Sequence, residues 1–252
     1  MRRSPRSLPP DVSYLDLESL MRKTIHLYLI KPSQYDDDGY VVRHWRGVLP
    51  SNTLACLAGL TEDAIKQQNL SNFYNIKVHL LDETVDKIPV GKICRSQRWG
   101  LAKTIVGLVG VQSNQFPRAC DLAHQFRKAG ITVMIGGFHV SGYLALLPAI
   151  PADIQALLDA GVTVVKGEVE ETWPQLLRDA IEGRLQPLYD FLNAKPDLYT
   201  KPIPAIAEGD ALAIPDALFE HRAVLYTEDR RPFSEVHEVY QRQLLAFPLP
   251  HP

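Results

Sequence analysis

AKTIVGLVGVQSNQFPRACDLAHQFRKAGITVMIGGFHVS, residues 102–141, is the stretch whose reading decides the fold. Its apolar run, Ile105 to Val111, has the length and composition of a buried strand. A polar turn, Gln112-Ser113-Asn114-Gln115, follows. Beyond it, Ala119, Leu122, Ala123 and Phe126 recur at steps of three and four, the period of a helix with one buried face. Pro117 suits the first helical turn, where an amide has no partner to lose, and Gly130 suits the position just past the end. A second apolar run, Ile131 to Ile135, then meets Gly136-Gly137-Phe138-His139. Strand, helix and strand in about thirty residues predict a right-handed crossover between parallel strands. Both strands end in small or polar residues, where an open α/β sheet places its ligand.

Outward from this unit, Ile25 to Ile30 (IHLYLI) predicts a first strand, closed by Lys31-Pro32-Ser33 and a polar loop through Asp36-Asp37-Asp38-Gly39-Tyr40. Leu49-Pro50-Ser51-Asn52 opens a helix with Ser51 or Asn52 as its cap, and Leu54, Leu57, Ala58, Thr61 and Ile65 share its apolar face. Ile76, Val78 and Leu80 mark a second strand that ends at Asp82-Glu83. Residues 84–101 show no clear period and read as a short helix or a covering loop. A proline-interrupted piece then leads to a short helix with Asp153 as its candidate cap and Ile154, Leu157 and Leu158 turned inward. Val162 to Val165 predicts a fifth strand, ending in Lys166-Gly167-Glu168. Thr172 caps a last helix with Pro174 in its first turn, an apolar stripe of Trp173, Leu176, Leu177, Ala180 and Ile181, and Gly183 at its end.

From Leu185 the period decays among prolines. The expected fold is α/β: a five-stranded, parallel, doubly wound sheet of Rossmann type, in the flavodoxin-like order 2-1-3-4-5, with an irregular C-terminal extension. Residues 1–20 are expected to be a disordered leader, 21–184 the α/β domain and 185–252 a linker or lid.

A chain of 252 residues, 46% of them hydrophobic, can bury a full core. A formal net charge of -2 gives no global pull toward nucleic acid or an anionic membrane, so neither partner is expected. The apolar runs are too short to span a bilayer and the leader has no signal-peptide core, which implies a cytoplasmic protein. Cys56, Cys94 and Cys120 lie far apart, which argues against a disulfide framework and against a metal site built from this chain alone. The sequence contains no GxGxxG after the first strand, no GxxxxGK[ST], no GxSxG and no HExxH, and no catalytic residue is assigned.

The strand ends offer the candidate binding groups. Gly136 and Gly137 either let a flat or phosphate-bearing ligand approach the backbone or simply make a tight turn. Ser113, Asn114 and Gln115 either contact a ligand or cap the helix that follows. His139 either faces a ligand or is an exposed loop histidine, whereas His26, His79 and His124 fall inside regular elements and read as structural. Glu168 and Glu170 flank a helix start, where the dipole favours carboxylates.

Residues 30–40 (IKPSQYDDDGY), 49–60 (LPSNTLACLAGL), 110–130 (GVQSNQFPRACDLAHQFRKAG), 135–142 (IGGFHVSG) and 166–183 (KGEVEETWPQLLRDAIEG) carry a resemblance in their order and spacing. Over residues 21–215 the chain resembles the N-terminal cobalamin-binding domain of cobalamin-dependent radical SAM proteins. The resemblance implies a corrin ring across the C-terminal edge of the sheet, with the nucleotide tail inserted between strands and helices. The implied contacts are Ser33, Pro50, Ser51, Asn52, Gln112, Ser113, Asn114, Gln115, Gly136, Gly137, Phe138, His139, Gly167 and Glu168, the glycines letting the tail pass close to the backbone.

Two departures shape that expectation. YDDDGY lacks the histidine of a DxHxxG loop, so no histidine ligand to cobalt is implied from there. The CxxxCxxC motif that holds an iron–sulfur cluster and S-adenosylmethionine, due soon after residues 204–215, is absent from the chain. The resemblance therefore implies a truncated corrinoid-binding module, inactive alone, with its cluster and S-adenosylmethionine in a radical SAM domain supplied by another chain or lost. The alternative is a flavodoxin-like interaction domain without a cofactor.

Overall fold

The computed structural model of the chain describes residues 22–45, 51–98, 102–194, 196–197 and 201–202. The leader, Pro50 and the segment 204–215 lie outside the described residues. Chain order is β1 (Lys23–Lys31), α1 (Asn52–Gln67), a 3-10 turn (Leu70–Asn72), β2 (Tyr74–Asp82), α2 (Val90–Arg98), β3 (Lys103–Leu108), α3 (Phe116–Lys128), β4 (Thr132–Gly136), α4 (Phe138–Leu146), α5 (Ala152–Asp159), β5 (Thr163–Gly167), α6 (Trp173–Glu182) and β6 (Leu188–Phe191). The strands form one parallel sheet in the order β2-β1-β3-β4-β5-β6.

Alternation along the strands divides the core in two. Ile30, Val106, Leu108, Val133, Ile135 and Val164 point to one face, where Ile93 of α2, Leu122 and Phe126 of α3 and Ile154 and Leu157 of α5 cover them. Ile25, Leu27, Leu29, Ile105, Met134 and Val165 point to the other, under Leu54, Leu57 and Leu60 of α1 and Trp173, Leu176 and Leu177 of α6. Buried on both faces, β3 and β4 read as continuous apolar runs. Across the second face the Trp173 indole N–H donates to Thr61 Oγ1 at 2.9 Å, and that hydroxyl donates to the Leu57 carbonyl at 2.6 Å. This chain lets a polar pair sit inside an apolar layer without an unpaired atom.

Six strands, not five, make the sheet, and the added one lies in the segment expected to be irregular. β6 is LYDF, four residues in which only Tyr189 is buried, too short to show a period. Tertiary partners specify it instead. The Tyr189 hydroxyl donates to Asp179 at 2.9 Å, Thr163 Oγ1 donates to the Gln186 carbonyl at 3.0 Å, and Lys166 pairs with Asp190, its register partner, at 2.6 Å. Residues 84–101 contain α2, so of the two readings, a short helix or a covering loop, the helix is the one found, its one-sided period obscured by the mainly polar sequence VGKICRSQR.

His26 and His79 lie on neighbouring strands with Nδ1 and Nε2 2.9 Å apart, a pair that shares one proton. Tyr28 stacks on His79 with ring centroids 4.3 Å apart. Burial, then the charge of Lys77, holds the His26 pKa below its ordinary value; burial, then His26, Lys77 and Lys92, does the same for His79. The unfolded chain therefore takes up protons first as pH falls. Stability is expected to be level above about pH 6.5 and to decline below it, through the depressed folded values. Urea unfolding of the intact protein and of a His26→Asn/His79→Asn variant checks this. The variant should show a shallower decline, and an equal slope would contradict the assignment.

Candidate functional site

The carboxyl ends of β3 and β4 are joined through the backbone of Val111. Its N–H donates to the Gly136 carbonyl at 3.2 Å, and its carbonyl accepts from the His139 N–H at 3.0 Å. Gly137 between them has φ +143, and a Cβ there would stand 2.1 Å from the Val111 nitrogen. Gly167 is equally constrained: its Cβ would meet the Phe191 carbonyl carbon at 2.3 Å. At Gly136 a Cβ would come within 3.1 Å of the Val165 carbonyl oxygen. The room left by the missing side chains is thus filled by the protein's own neighbouring strand ends.

Where the strand order reverses, between β1 and β3, the loop after β1 is tied to α3. Glu83, 1% exposed, accepts from the Ser33 N–H at 3.2 Å and from Arg118 Nη2 at 2.6 Å. Arg118 Nη1 donates to the Tyr35 hydroxyl at 3.3 Å, and that hydroxyl donates to Asp121. Burial works against the guanidinium charge, but its bonds to Glu83 and Tyr35 outweigh this and hold the Arg118 pKa above its ordinary value. Farther out, Asn114 Nδ2 donates to Gln34 Oε1. None of Gln34, Tyr35, Glu83, Arg118 and Asp121 stood out in the sequence. Glu83 directly after a strand and Arg118 in the first turn of a helix are the only cues, and neither names the other.

The sequence candidates separate into two groups. Ser33 is buried and donates its hydroxyl to the Val42 carbonyl; Ser51 accepts from the Leu54 N–H; Gln115 Oε1 accepts from the Gln112 N–H at 3.0 Å. Each of these three is engaged by its local surroundings. Gln112, Ser113, Asn114, Asn52 and Glu168 have exposed side chains, as does Phe138 at 68%. Burial, then the neighbouring Glu170 carboxylate, raises the Glu168 pKa. Gly167 is reached from α4, its N–H donating to Ser141 Oγ at 3.0 Å.

His139 is not an exposed loop residue. It lies in the first turn of α4, 6% exposed, with its ring stacked on Phe116 at 3.9 Å and under Tyr143 at 4.3 Å between centroids. Both imidazole nitrogens are buried without a hydrogen-bond partner. Burial lowers its pKa, against the opposing charge of Asp153, so the ring is neutral at physiological pH. The imidazole packs on Phe116, the residue that directly follows the Gln112–Gln115 turn.

Other features lie apart from this edge. A pocket of about 180 Å³ beside Arg22, Ser71 and Tyr74 opens at the amino end of β2, the opposite end of the strands. Among the described residues no three histidine, cysteine or acidic side chains group to hold a metal ion, and no helix is long and apolar enough to cross a membrane. Burial pushes the Cys120 thiol up to about 12 and also raises that of Cys56, which keeps both protonated.

Comparison with known proteins finds similarity to bacteriochlorophyllide d C-8(2)-methyltransferase of Chlorobaculum tepidum, 34% identical over 91 residues. The aligned part is 35% of this chain and 18% of that protein, so the chain spans less than a fifth of its relative. No protein-family model and no solved structure matches the chain.

The Glu83–Arg118 pair is the buried charge on which the β1 loop depends. Arg118→Leu would leave the Glu83 carboxylate buried and unpaired, at an expected cost of about 3–5 kcal/mol in urea unfolding. Glu83→Gln/Arg118→Leu should recover much of that loss, because no charge is then stranded. A single variant within 1 kcal/mol of the native chain, on the ~1 kcal/mol scale of an exposed ion pair, would show that the pair is not buried as described.

Proposed function

We propose that this chain is a corrinoid-binding module of the cobalamin-dependent radical SAM type, with a flavodoxin-like arrangement and its ligand across the carboxyl edge of the sheet. The observation that carries the reading is His139, a buried imidazole with two unpartnered nitrogens in the first turn of α4, after β4. An apolar ring would stack there without stranding two polar atoms, so the imidazole supports a polar occupant at this place. The similarity to a methyltransferase supports the same reading, because a corrinoid, when bound, supplies a cobalt centre able to carry a methyl group.

The residues present fit such a ligand at several points. Gln112 and Ser113 present exposed amide and hydroxyl groups suited to the amide-bearing rim of a corrin, whereas the Asn114 amide is held by Gln34. His139 would offer one donor and one acceptor to such a ligand. Ser33, Ser51 and Gln115 support the loops rather than the ligand, since their side chains are already engaged. The iron–sulfur cluster and S-adenosylmethionine belong to a separate radical SAM domain, which is the partner assigned to this module. The length of the relative beyond the aligned part supports a catalytic domain outside these residues.

A second reading, an interaction domain without a cofactor, is favoured by one observation. Gln34–Asn114 and Tyr35–Asp121 bridge the crevice between β1 and β3, where an open α/β sheet would seat its ligand. Titration of the intact protein with hydroxocobalamin separates the two. The corrinoid reading expects a saturable change in visible absorbance. With free ligand a hundredfold above Kd, it also expects about 2.7 kcal/mol of added stability, or about 5–10 °C in Tm for a chain of this size. An unchanged spectrum and melt at high-micromolar corrinoid would favour the second reading.

A further inference from the structure

The pocket at the amino end of β2 shares no residue with the carboxyl edge, and its walls are of two kinds. Ile65 of α1 and Tyr74 and Ile76 of β2 are the half-buried margin of the apolar layer beneath α1 and α6. Arg22 and Ser71 supply the polar side, and the fold fixes both. Arg22 directly precedes β1, whose first residue, Lys23, is the register partner of Tyr74. Ser71 is the middle residue of the 3-10 turn, which buried Leu70 anchors and which the Phe73 N–H closes on the Leu70 carbonyl at 3.0 Å. Arg22 Nη1 donates to the Ser71 carbonyl at 2.7 Å and so ties the guanidinium to the turn. With Nη1 committed, the edge formed by Nε and Nη2 keeps two parallel N–H donors, the fork that matches a carboxylate. Among the described residues no acidic side chain pairs with Arg22, and the Ser71 hydroxyl makes no hydrogen bond.

We propose that this pocket is a second binding site, for a small monocarboxylate with a short aliphatic tail. The carboxylate lies on the Nε/Nη2 edge of Arg22 with the Ser71 hydroxyl as a further donor, and the tail packs on Ile65, Tyr74 and Ile76. A volume of about 180 Å³ equals that of about six water molecules in the liquid, room for a short acid and not for a nucleotide or a corrin. One cation beside three apolar residues also suits a monoanion better than a phosphate dianion, whose second charge would be left without a partner. The site is independent of the corrinoid reading and lies at the other end of the strands.

The test titrates the intact protein, without corrinoid and at constant ionic strength set with chloride, with butyrate and with its neutral analogue butyramide. Amide 1H–15N spectra report the site. Butyrate should shift the Ser71 and Asn75 amides and the Arg22 Nε–H saturably. Butyramide, equal in shape but uncharged, should bind about tenfold or more weakly, the difference expected for hydrogen bonds to a charged group. This comparison uses only the native chain and does not depend on a variant folding. Arg22→Gln should lower butyrate affinity by a similar factor and leave the weak butyramide binding as it was. Equal binding of the two ligands, saturable shifts centred away from residues 22 and 71–76, or butyrate bound by Arg22→Gln as by the native chain would each overturn the site. So would the lack of any saturable shift at tens of millimolar butyrate. None of these outcomes bears on corrinoid binding, which the hydroxocobalamin titration reads separately.

Discussion

The backbone of Val111 is the fixed point of the carboxyl edge. It bonds to Gly136 on one side and to His139 on the other, and it approaches Gly137 so closely that no Cβ fits between them. That contact sets where β3 ends, where α4 begins and which way the first turn of α4 faces. It also delivers His139 onto Phe116, since the histidine follows the crowded glycine by two residues. A substitution at Gly137 would disturb the sheet before it disturbed any ligand.

A second fixed point lies one strand away. Glu83, Arg118 and the Ser33 amide form a buried polar knot that draws together the ends of β1 and β2 and the start of α3. Outside the knot, the contacts of Tyr35 with Asp121 and of Gln34 with Asn114 are exposed. Solvent competes for these outer bonds far more readily than for the inner ones. The loop after β1 thus has a firm base and a loosely held outer part, which suits a segment that lies over a binding edge.

Legibility in the sequence followed burial. β1, β3, β4 and β5 are core strands and appeared as apolar runs; the stripe Trp173, Leu176, Leu177, Ala180 and Ile181 appeared as a helix and is the buried face of α6. β6 escaped notice because only Tyr189 of its four residues is buried and its stability comes from Asp179, Thr163 and Lys166, outside its own sequence. At the edge, the glycines and polar turns were visible as residue types, but their use was not. Whether Gly137 makes room for a ligand or for Val111, and whether Gln115 meets a ligand or the Gln112 amide, depends on approaches between segments that no local pattern encodes. The Glu83–Arg118 pair spans 35 positions and was invisible for the same reason.

Amide hydrogen exchange of the intact protein, with and without hydroxocobalamin, bears most directly on the claim that the carboxyl edge is a corrinoid site. The account expects added protection confined to the loop 33–42, the turn 112–115 and the first turn of α4, with the amino end of β2 unchanged. No change at any of these segments under saturating corrinoid, or protection centred on the pocket beside Arg22 and Ser71, would contradict it.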